Sequence, residues 1–288
     1  MDTRVNSGGA LSDLSAIPAI ADTRGVREHP VADAGSAAIV VRQTTYPSGF
    51  HITPHWHVRA QFLFAASGTM TVRTLRRGWI VPPSRALWIP AGTVHEIRID
   101  GTVEMRSLYI EPTAAAGMWG ECVVLEVTSL ARELILRAGA LPLRYDESGD
   151  DGLLMRLLLA EIRRLSVCAL DLPLPESPDL ARLCERVLND LSARRPCRTQ
   201  ADDLAMSTRT LYRRFLKETG ITFARWQQQA RLLEAIRRLA EGASVTATAL
   251  DLGYESTSAF SAMFRRSLGQ TPRAFVTGCS NHRQEETA

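Results

Sequence analysis

The sequence predicts a multidomain α+β protein in which an N-terminal β-barrel leads through a helical connector to an all-α C-terminal domain. Three observations support this architecture. Short apolar segments punctuated by Gly, Pro and Ser fill the N-terminal part, as the strands of a barrel would. Apolar residues recur at helical spacing farther along the chain. The C-terminal third also repeats itself, because 206–215 matches 254–264, which indicates two helix-turn-helix units.

Composition and periodicity divide the 288 residues into five segments. The first of these segments is rich in Ala, Gly, Ser and Asp, which predicts that it is flexible. The segments are a flexible N-terminal arm at 1–36, a barrel at 37–112, a helical connector with a Pro-rich linker at 113–178, a helical domain at 179–278 and a disordered tail at 279–288.

The barrel segment carries histidines at strand spacing. Side chains two apart on a strand share a face, so His55, His57 and Gln61 are predicted to point into the barrel, and His95 would join them from a neighbouring strand. Three imidazoles and an amide predict a site for a divalent transition metal. The alternative is that these side chains line an effector pocket without metal. Glu96 follows His95 directly and is expected to face the opposite side.

Two spacings in this segment resemble the two cupin motifs. The residues that carry the resemblance are Gly49-x5-His55-x-His57-x3-Gln61-x6-Gly68 and Ser84-x5-Pro90-x-Gly92-x2-His95. The resemblance implies a cupin barrel, which hosts sensors as well as enzymes. Gln61 stands where metal-binding cupins usually carry Glu, so a bound metal would keep its full positive charge and could attract an anionic or chelating effector. His51 also has the right parity, and we expect it to be a pocket or surface residue.

The connector shows two amphipathic helical patterns. One runs through Leu125, Leu130, Leu134 and Ile135, and the other extends from Leu153 to Val167. Beyond them, Leu172–Pro178 contains three prolines and is predicted to be a stiff, extended linker that lets the two modules move relative to one another.

The repeat predicts both the caps and the core of the helical domain. The two copies are offset by 48 residues before the turn and by 49 after it, which places one inserted residue in the second turn. Ser207 is predicted to cap one helix and Ser256 its counterpart. The residues predicted to face the core are Leu211, Phe215, Phe260 and Phe264.

Helical geometry then selects the side chains that would face DNA. Arg209 could make bidentate contacts to guanine, whereas the small side chains of the second copy could reach only a thymine methyl, a phosphate or a water. We therefore predict that the first unit reads sequence and that the second mainly anchors. The predicted DNA-binding residues are Thr208, Arg209, Tyr212 and Arg213 in the first copy and Thr257, Ser258, Ser261, Ala262 and Arg265 in the second.

Residues 179–278 resemble the DNA-binding domain of the AraC/XylS family of bacterial transcription regulators. The residues that carry this resemblance are Met206-Ser207-x-Arg209-x-Leu211-x-Arg213-x-Phe215, Leu252-Gly253-Tyr254 and Phe264-Arg265-Arg266-x-x-Gly269-Gln270-Thr271-Pro272. The resemblance implies that a connector helix pairs two subunits, so we expect a homodimer. The chain departs from the pattern at Ala205, where the first turn would usually have Gly, and before Cys197, where a Ser or Thr cap would be expected.

Charge and cysteine usage narrow the class of protein. Residues 179–288 carry 17 basic and 12 acidic side chains, a net charge of +5, against −2 for the rest of the chain, which favours a nucleic-acid partner. Five scattered cysteines without a Cys-x-x-Cys pair argue against a zinc ribbon or a disulfide scaffold and fit the reducing cytoplasm. The chain shows neither a signal-peptide pattern nor an apolar run of membrane-spanning length.

These observations predict a cytoplasmic transcription regulator, not an enzyme, that is controlled by a small molecule or metal in its barrel. Each chain would place two recognition helices in successive major grooves, about 34 Å apart. The main alternative is a metal-dependent cupin enzyme, an isomerase or dioxygenase, with a helical extension. Gln61 and the lack of a nearby carboxylate argue against it. A third possibility is a DNA-binding protein whose barrel serves only for dimerisation.

Overall fold

The computed structural model describes residues 26–29, 37–75, 77–83, 85–168, 171–193, 195–240 and 242–276. The predicted tail and most of the predicted arm lie outside the described residues. The chain divides into two compact units that meet in sequence near residue 170. No helix in the described ranges has both the length and the apolar character needed to span a bilayer.

The first unit is built on an antiparallel sheet that forms the predicted barrel. Its strands are β1 (Ile39–Tyr46), β2 (His51–His55), β3 (Ala60–Arg73), β4 (Arg77–Val81), β5 (Arg85–Ile89), β6 (His95–Ile110), β7 (Val123–Glu126) and β8 (Val167–Cys168). They follow the order β1-β6-β3-β5-β7-β8, while β2 pairs with β6 and β4 pairs with β3.

The two long strands, β3 and β6, turn one face towards the inside of the barrel and the other towards the outside. Gln61 pairs with Tyr109 and therefore shares a face with it, whereas Phe62 pairs with Leu108 on the other face. Phe62 and Leu108 belong to a buried cluster with two helices, α1 (Ser129–Gly139) and α2 (Asp150–Ile162). The helices cover the outer face, so Gln61 and Tyr109 point into the barrel.

The predicted ends of the two connector helices are wrong. Leu125 lies in β7 and Val167 in β8, where the two residues are register partners in the barrel sheet. Short apolar runs fit a helix or a strand equally well by periodicity, and here pairing with neighbouring strands decides. Helix α1 instead begins at its cap Thr128, whose hydroxyl accepts a hydrogen bond from the Ala131 amide at 3.1 Å. The connector therefore completes the barrel unit.

The second unit consists of β9 (Asp171–Pro173), α3 (Pro178–Asn189), α4 (Cys197–Asp202), α5 (Thr208–Thr219), α6 (Phe223–Ala240), α7 (Val245–Asp251), α8 (Thr257–Leu268) and a helical turn at 272–276. The hydroxyls of Ser207 and Ser256 accept the N-terminal hydrogen bonds of α5 and α8, which confirms both predicted caps. No side chain caps α4, which begins after Pro196.

The Pro-rich segment differs from the extended spacer that the sequence predicted. Leu172 is buried, and the indole Nε1 of Trp226 donates to the Pro173 carbonyl at 2.8 Å. Ser177 donates its amide and hydroxyl to the Glu218 carboxylate. Prolines leave the backbone carbonyls of such a segment free to accept hydrogen bonds. Helix α6 supplies a donor, the Trp226 indole, and helix α5 supplies an acceptor, the Glu218 carboxylate. The segment is thus part of the second unit.

The two turns of the repeat differ in the strain that they carry. Ala205 has φ +51°, and its counterpart Gly253 has φ +73°. A left-handed residue with a Cβ costs about 1–2 kcal/mol, so Ala205 carries a penalty that Gly253 avoids. A Cβ on Gly253 would also lie 2.5 Å from the Ser192 carbonyl oxygen. The first turn therefore tolerates a side chain that the second would not.

We expect opposite effects from exchanging these residues. Ala205→Gly should raise the free energy of unfolding of the second unit by up to about 1 kcal/mol, because the relieved strain exceeds the added chain entropy. Gly253→Ala should lower it by more than about 2 kcal/mol, because strain and a backbone clash add. Urea denaturation monitored by tryptophan fluorescence measures both. Equal and small effects at the two positions would contradict this assignment.

Candidate nucleic-acid interface and candidate metal centre

Helix α5 presents two arginines on the face opposite its core. Leu211 and Phe215 are fully buried, whereas Arg209, Tyr212 and Arg213 are exposed. Within the described part of the chain, neither Arg209 nor Arg213 forms an ion pair. Both guanidinium groups are therefore free to bind phosphate or a guanine edge.

The Tyr212 side chain is positioned by the preceding helix. Its hydroxyl hydrogen-bonds with Cys197 at the start of α4, which raises the pKa of the phenol. The hydroxyl therefore contacts α4 while the side chain as a whole remains exposed. Thr208 lies half-buried at the N-terminal end of α5.

Helix α8 presents a different surface. Ser258, Ala262 and Arg265 are exposed, while Thr257 and Ser261 are half-buried. Phe260 and Phe264 fill the core on the opposite side. All nine predicted side chains therefore lie on the outer or half-buried faces of their helices, and α5 carries the larger polar groups.

Several other arginines of this unit are held by carboxylates, which the sequence pattern did not reveal. Arg214 donates to Asp179 at 2.7 and 3.0 Å, and this contact lowers the pKa of Asp179 to about 2. It joins α5 to the start of α3. Arg237 and Arg238 both donate to Glu234 along α6. Such pairing separates arginines that stabilise the unit from arginines available to DNA.

Three histidines form a compact group inside the barrel. His55 ends β2, His95 begins β6, and the two are register partners, while His57 lies two residues beyond the end of β2. All three side chains are buried, and one ligand atom from each lies within 4.8 Å of the others. No Asp or Glu of the described ranges belongs to this group.

The hydrogen bonds of the three imidazoles fix which ring nitrogen carries the proton. Each Nδ1 contacts a backbone carbonyl, which can only accept, so Nδ1 carries the proton and Nε2 the lone pair. The partners are Thr53 O for His55 at 2.8 Å, His29 O for His57 at 2.7 Å and Thr93 O for His95 at 2.9 Å. The buried Nε2 atoms of His57 and His95 have no partner. Metal-ligating histidines show this arrangement.

Burial also keeps these rings neutral. Desolvation lowers the pKa of His57 to about 4 and that of His95 to about 3, and it lowers the pKa of His55 as well. At neutral pH each ring therefore offers a lone pair and no charge.

Gln61, the fourth predicted ligand, lies on the same inner face. Its Nε2 donates to the Ser107 hydroxyl at 3.2 Å, and its buried Oε1 has no partner. Its register partner Tyr109 has a ring 5.0 Å from that of His57. An unpartnered amide oxygen inside the barrel is a free acceptor for a metal or a ligand.

Glu96 and His51 form a separate pair. Glu96 is buried and contacts His51 Nε2 at 3.1 Å, and it follows His95 on the strand, so its side chain points away from the three histidines. The predicted orientation of Glu96 agrees with this geometry. His51 is partly exposed at the other end of β2.

Sequence reasoning missed one further histidine. His29 belongs to the described segment 26–29, and its ring centroid lies 5.5 Å from that of His55 and 5.8 Å from that of His57. It stands 26 residues before His55, outside both motifs, so its place beside them depends on a long-range contact that local spacing does not encode.

Comparisons with known proteins match both units. The model of the AraC-like ligand binding domain family matches 38–208, and that of a helix-turn-helix domain family matches 200–278. The HTH-type transcriptional regulator NimR of Escherichia coli strain K12 is 33% identical over 222 residues, which are 77% of this chain and 81% of that protein. RipA of Corynebacterium glutamicum, also an HTH-type transcriptional regulator, is 37% identical over 107 residues, or 37% of this chain and 32% of that protein.

A solved structure matches the second unit alone. The DNA-binding domain of AdpA, determined in complex with a target DNA, is 34% identical, covers 38% of this chain and 98% of its own, and superposes with a TM-score of 0.35.

Proposed function

Because this chain belongs to the AraC family of DNA-binding transcription regulators, we propose that α5 is its principal DNA-reading helix and that a metal held by the barrel histidines takes part in effector control. The observation that carries the first part is the pair of exposed, unpaired arginines on α5. The relatives named in the comparisons are transcriptional regulators, and the barrel lies within the match to the AraC-like ligand binding domain.

The difference between the two helices supports unequal roles. An arginine in the major groove can donate two hydrogen bonds to guanine, worth about 1–3 kcal/mol of discrimination. Serine and alanine on α8 reach less far, so α8 would add affinity through phosphate contacts such as that of Arg265. The first helix-turn-helix unit would then specify the sequence, and the second would anchor the protein.

Arg209→Ala and Ser258→Ala test this division. On duplexes that the wild-type protein selects from a random pool, Arg209→Ala should weaken binding about 10–100-fold, and Ser258→Ala less than about threefold. On an unselected duplex Arg209→Ala should weaken binding far less, because the arginine of the wild-type protein makes no specific base contact there. Fluorescence anisotropy at fixed salt measures the dissociation constants of wild type and both variants on both kinds of duplex. Equal losses for the two variants would refute the proposal.

The metal proposal rests on the buried Nε2 atoms that have no partner. Imidazole suits Zn, Cu, Fe and Ni, and His55, His57 and His95 would hold such an ion, with Gln61 on the same face. A bound divalent metal would supply a positively charged centre for an anionic or chelating effector. In the competing interpretation, the same residues line a pocket that holds no metal. A measurement of metal binding by the wild-type protein decides between the two interpretations.

We also propose a homodimer that forms through the connector helices. Leu153 and Leu157 are 57% and 49% exposed and lie one turn apart on α2, and Leu130 is exposed on α1. Two neighbouring exposed leucines on a helix suit a helix–helix contact between subunits. Sedimentation of the full chain measures the oligomeric state.

The cytoplasm is the proposed location, since a regulator acts where the chromosome is. The four cysteines in the described ranges are free, as a reducing compartment would keep them.

A further inference from the structure

We propose that His29 is a fourth ligand of the metal held by His55, His57 and His95, so that metal binding fixes the segment 26–29 against the barrel. This inference rests on the proposed metal site. It assigns a role to a residue outside both histidine motifs and gives the metal a physical connection to the N-terminal segment.

The backbone of His29 is already attached beside one of the three ligands. Its amide donates to the Trp56 carbonyl at 2.8 Å, and its carbonyl accepts from Nδ1 of His57 at 2.7 Å. Glu28 forms a parallel bridge with Trp56. His29 therefore contributes twice. Its carbonyl orients the His57 ring, as carbonyl groups orient ligating histidines in known metal centres, and its own ring would complete the site.

The ring of His29 stands next to the three imidazoles, slightly farther out than they stand from one another. With metal–nitrogen bonds of about 2.0–2.1 Å and tetrahedral geometry, the centroids of two ligating imidazoles lie about 5 Å apart. The three pairs among His55, His57 and His95 measure 4.3, 4.9 and 5.5 Å. His29 lies 5.5 Å from His55 and 5.8 Å from His57, at and just beyond the upper end of this range, and it is outside the group whose ligand atoms lie within 4.8 Å of one another, so its side chain must move inward to bind.

Because its side chain is exposed, His29 can take the fourth coordination position, which the three buried imidazoles leave open. The three barrel imidazoles are buried, whereas His29 is exposed. A site with three protein ligands keeps its fourth position open to water or to an added ligand. Gln61 is the competing donor through its unpartnered Oε1, but imidazole is the better ligand for these transition metals. A small movement of an exposed side chain would bring the His29 nitrogen to the metal.

Metal titration of the full-length protein tests the ligand role. Protein stripped with EDTA is titrated with Co²⁺, read by its visible absorption, and with Zn²⁺ against a chromophoric chelator. His29→Ala should weaken Zn²⁺ binding about 10–100-fold and alter the Co²⁺ spectrum, while keeping the backbone carbonyl that orients His57. Arg27→Ala is the matched control, because Arg27 is exposed in the same segment and has no imidazole; its metal affinity should equal that of wild type.

Proteolysis tests the connection to the segment. Trypsin cleaves after the exposed Arg27, and mass spectrometry follows cleavage of the Arg27–Glu28 bond in the native protein. Zn²⁺ should slow this cleavage in wild type and leave it unchanged in His29→Ala. Wild-type protein that binds no metal overturns the metal site and this inference together. A His29→Ala variant with wild-type affinity and wild-type protection overturns the role of His29 alone.

Discussion

A His95→Ala variant should lose metal affinity by more than about 100-fold. Replacing a residue that only orients a ligand typically costs 10–100-fold. We expect a larger loss at His95 than at the exposed His29, because His95 is one of the three buried imidazoles at the centre of the site. His95 is the most deeply buried of the three, 1% exposed, and its Nε2 has no other partner. Of the buried ligands only His55 and His57 would remain, and with the exposed His29 they would leave the site incomplete, so that it holds a divalent ion poorly in competition with water.

The matched control is His51→Ala. His51 sits on β2, the strand that also carries His55, but its ring contacts Glu96 and not the three histidines. Calorimetric titration with Zn²⁺ should therefore give wild-type affinity for His51→Ala. Thermal unfolding provides a second readout, because ligand at 100 times its dissociation constant stabilises the folded state by about 2.7 kcal/mol, and His95→Ala should show no such gain. Equal affinities for the two variants would exclude the metal centre and favour the metal-free pocket.

The C-terminal unit was predictable almost residue by residue because its signals are local. The caps Ser207 and Ser256 lie next to the helices that they begin, and the core positions Phe215 and Phe264 follow at fixed spacing. The left-handed turn at Ala205 was also foreseeable, since its counterpart in the repeat is a glycine. A repeat doubles each signal and so exposes the features that both copies share.

The barrel unit was less predictable because its decisive contacts join distant residues. The sequence indicated the shared face of His55 and His57 by their spacing, but neither the strand role of Leu125 nor the approach of His29. Leu125 becomes a strand residue only through pairing with β5 and β8, which no local pattern records. The hydrogen bond between Arg214 and Asp179, 35 residues apart, is of the same kind. Long-range pairing, not local propensity, therefore decides which polar groups are free to act.

Phe215→Ala is expected to abolish DNA binding at 37 °C by unfolding the second unit. The Phe215 ring is fully buried, at 4.9 Å from the ring of Phe223 and 5.9 Å from that of Trp226, so truncation removes its contacts with two other aromatic rings. A buried Phe→Ala change costs about 3–5 kcal/mol, which is a large share of the 5–15 kcal/mol that stabilises a typical domain.

Leu216→Ala, at the next position along the same helix, is the matched control for this prediction. Leu216 is 48% exposed on the same helix, so its truncation should change the unfolding free energy by less than about 0.5 kcal/mol. Urea denaturation should show Phe215→Ala shifting only the transition of the second unit, since the barrel has its own buried cluster. Zn²⁺ binding should then survive in a protein that no longer binds DNA. Loss of both activities in Phe215→Ala would mean that the two units unfold together. In such a regulator, a change in the free energy of unfolding of one unit, and not only its ligand state, would affect the other unit.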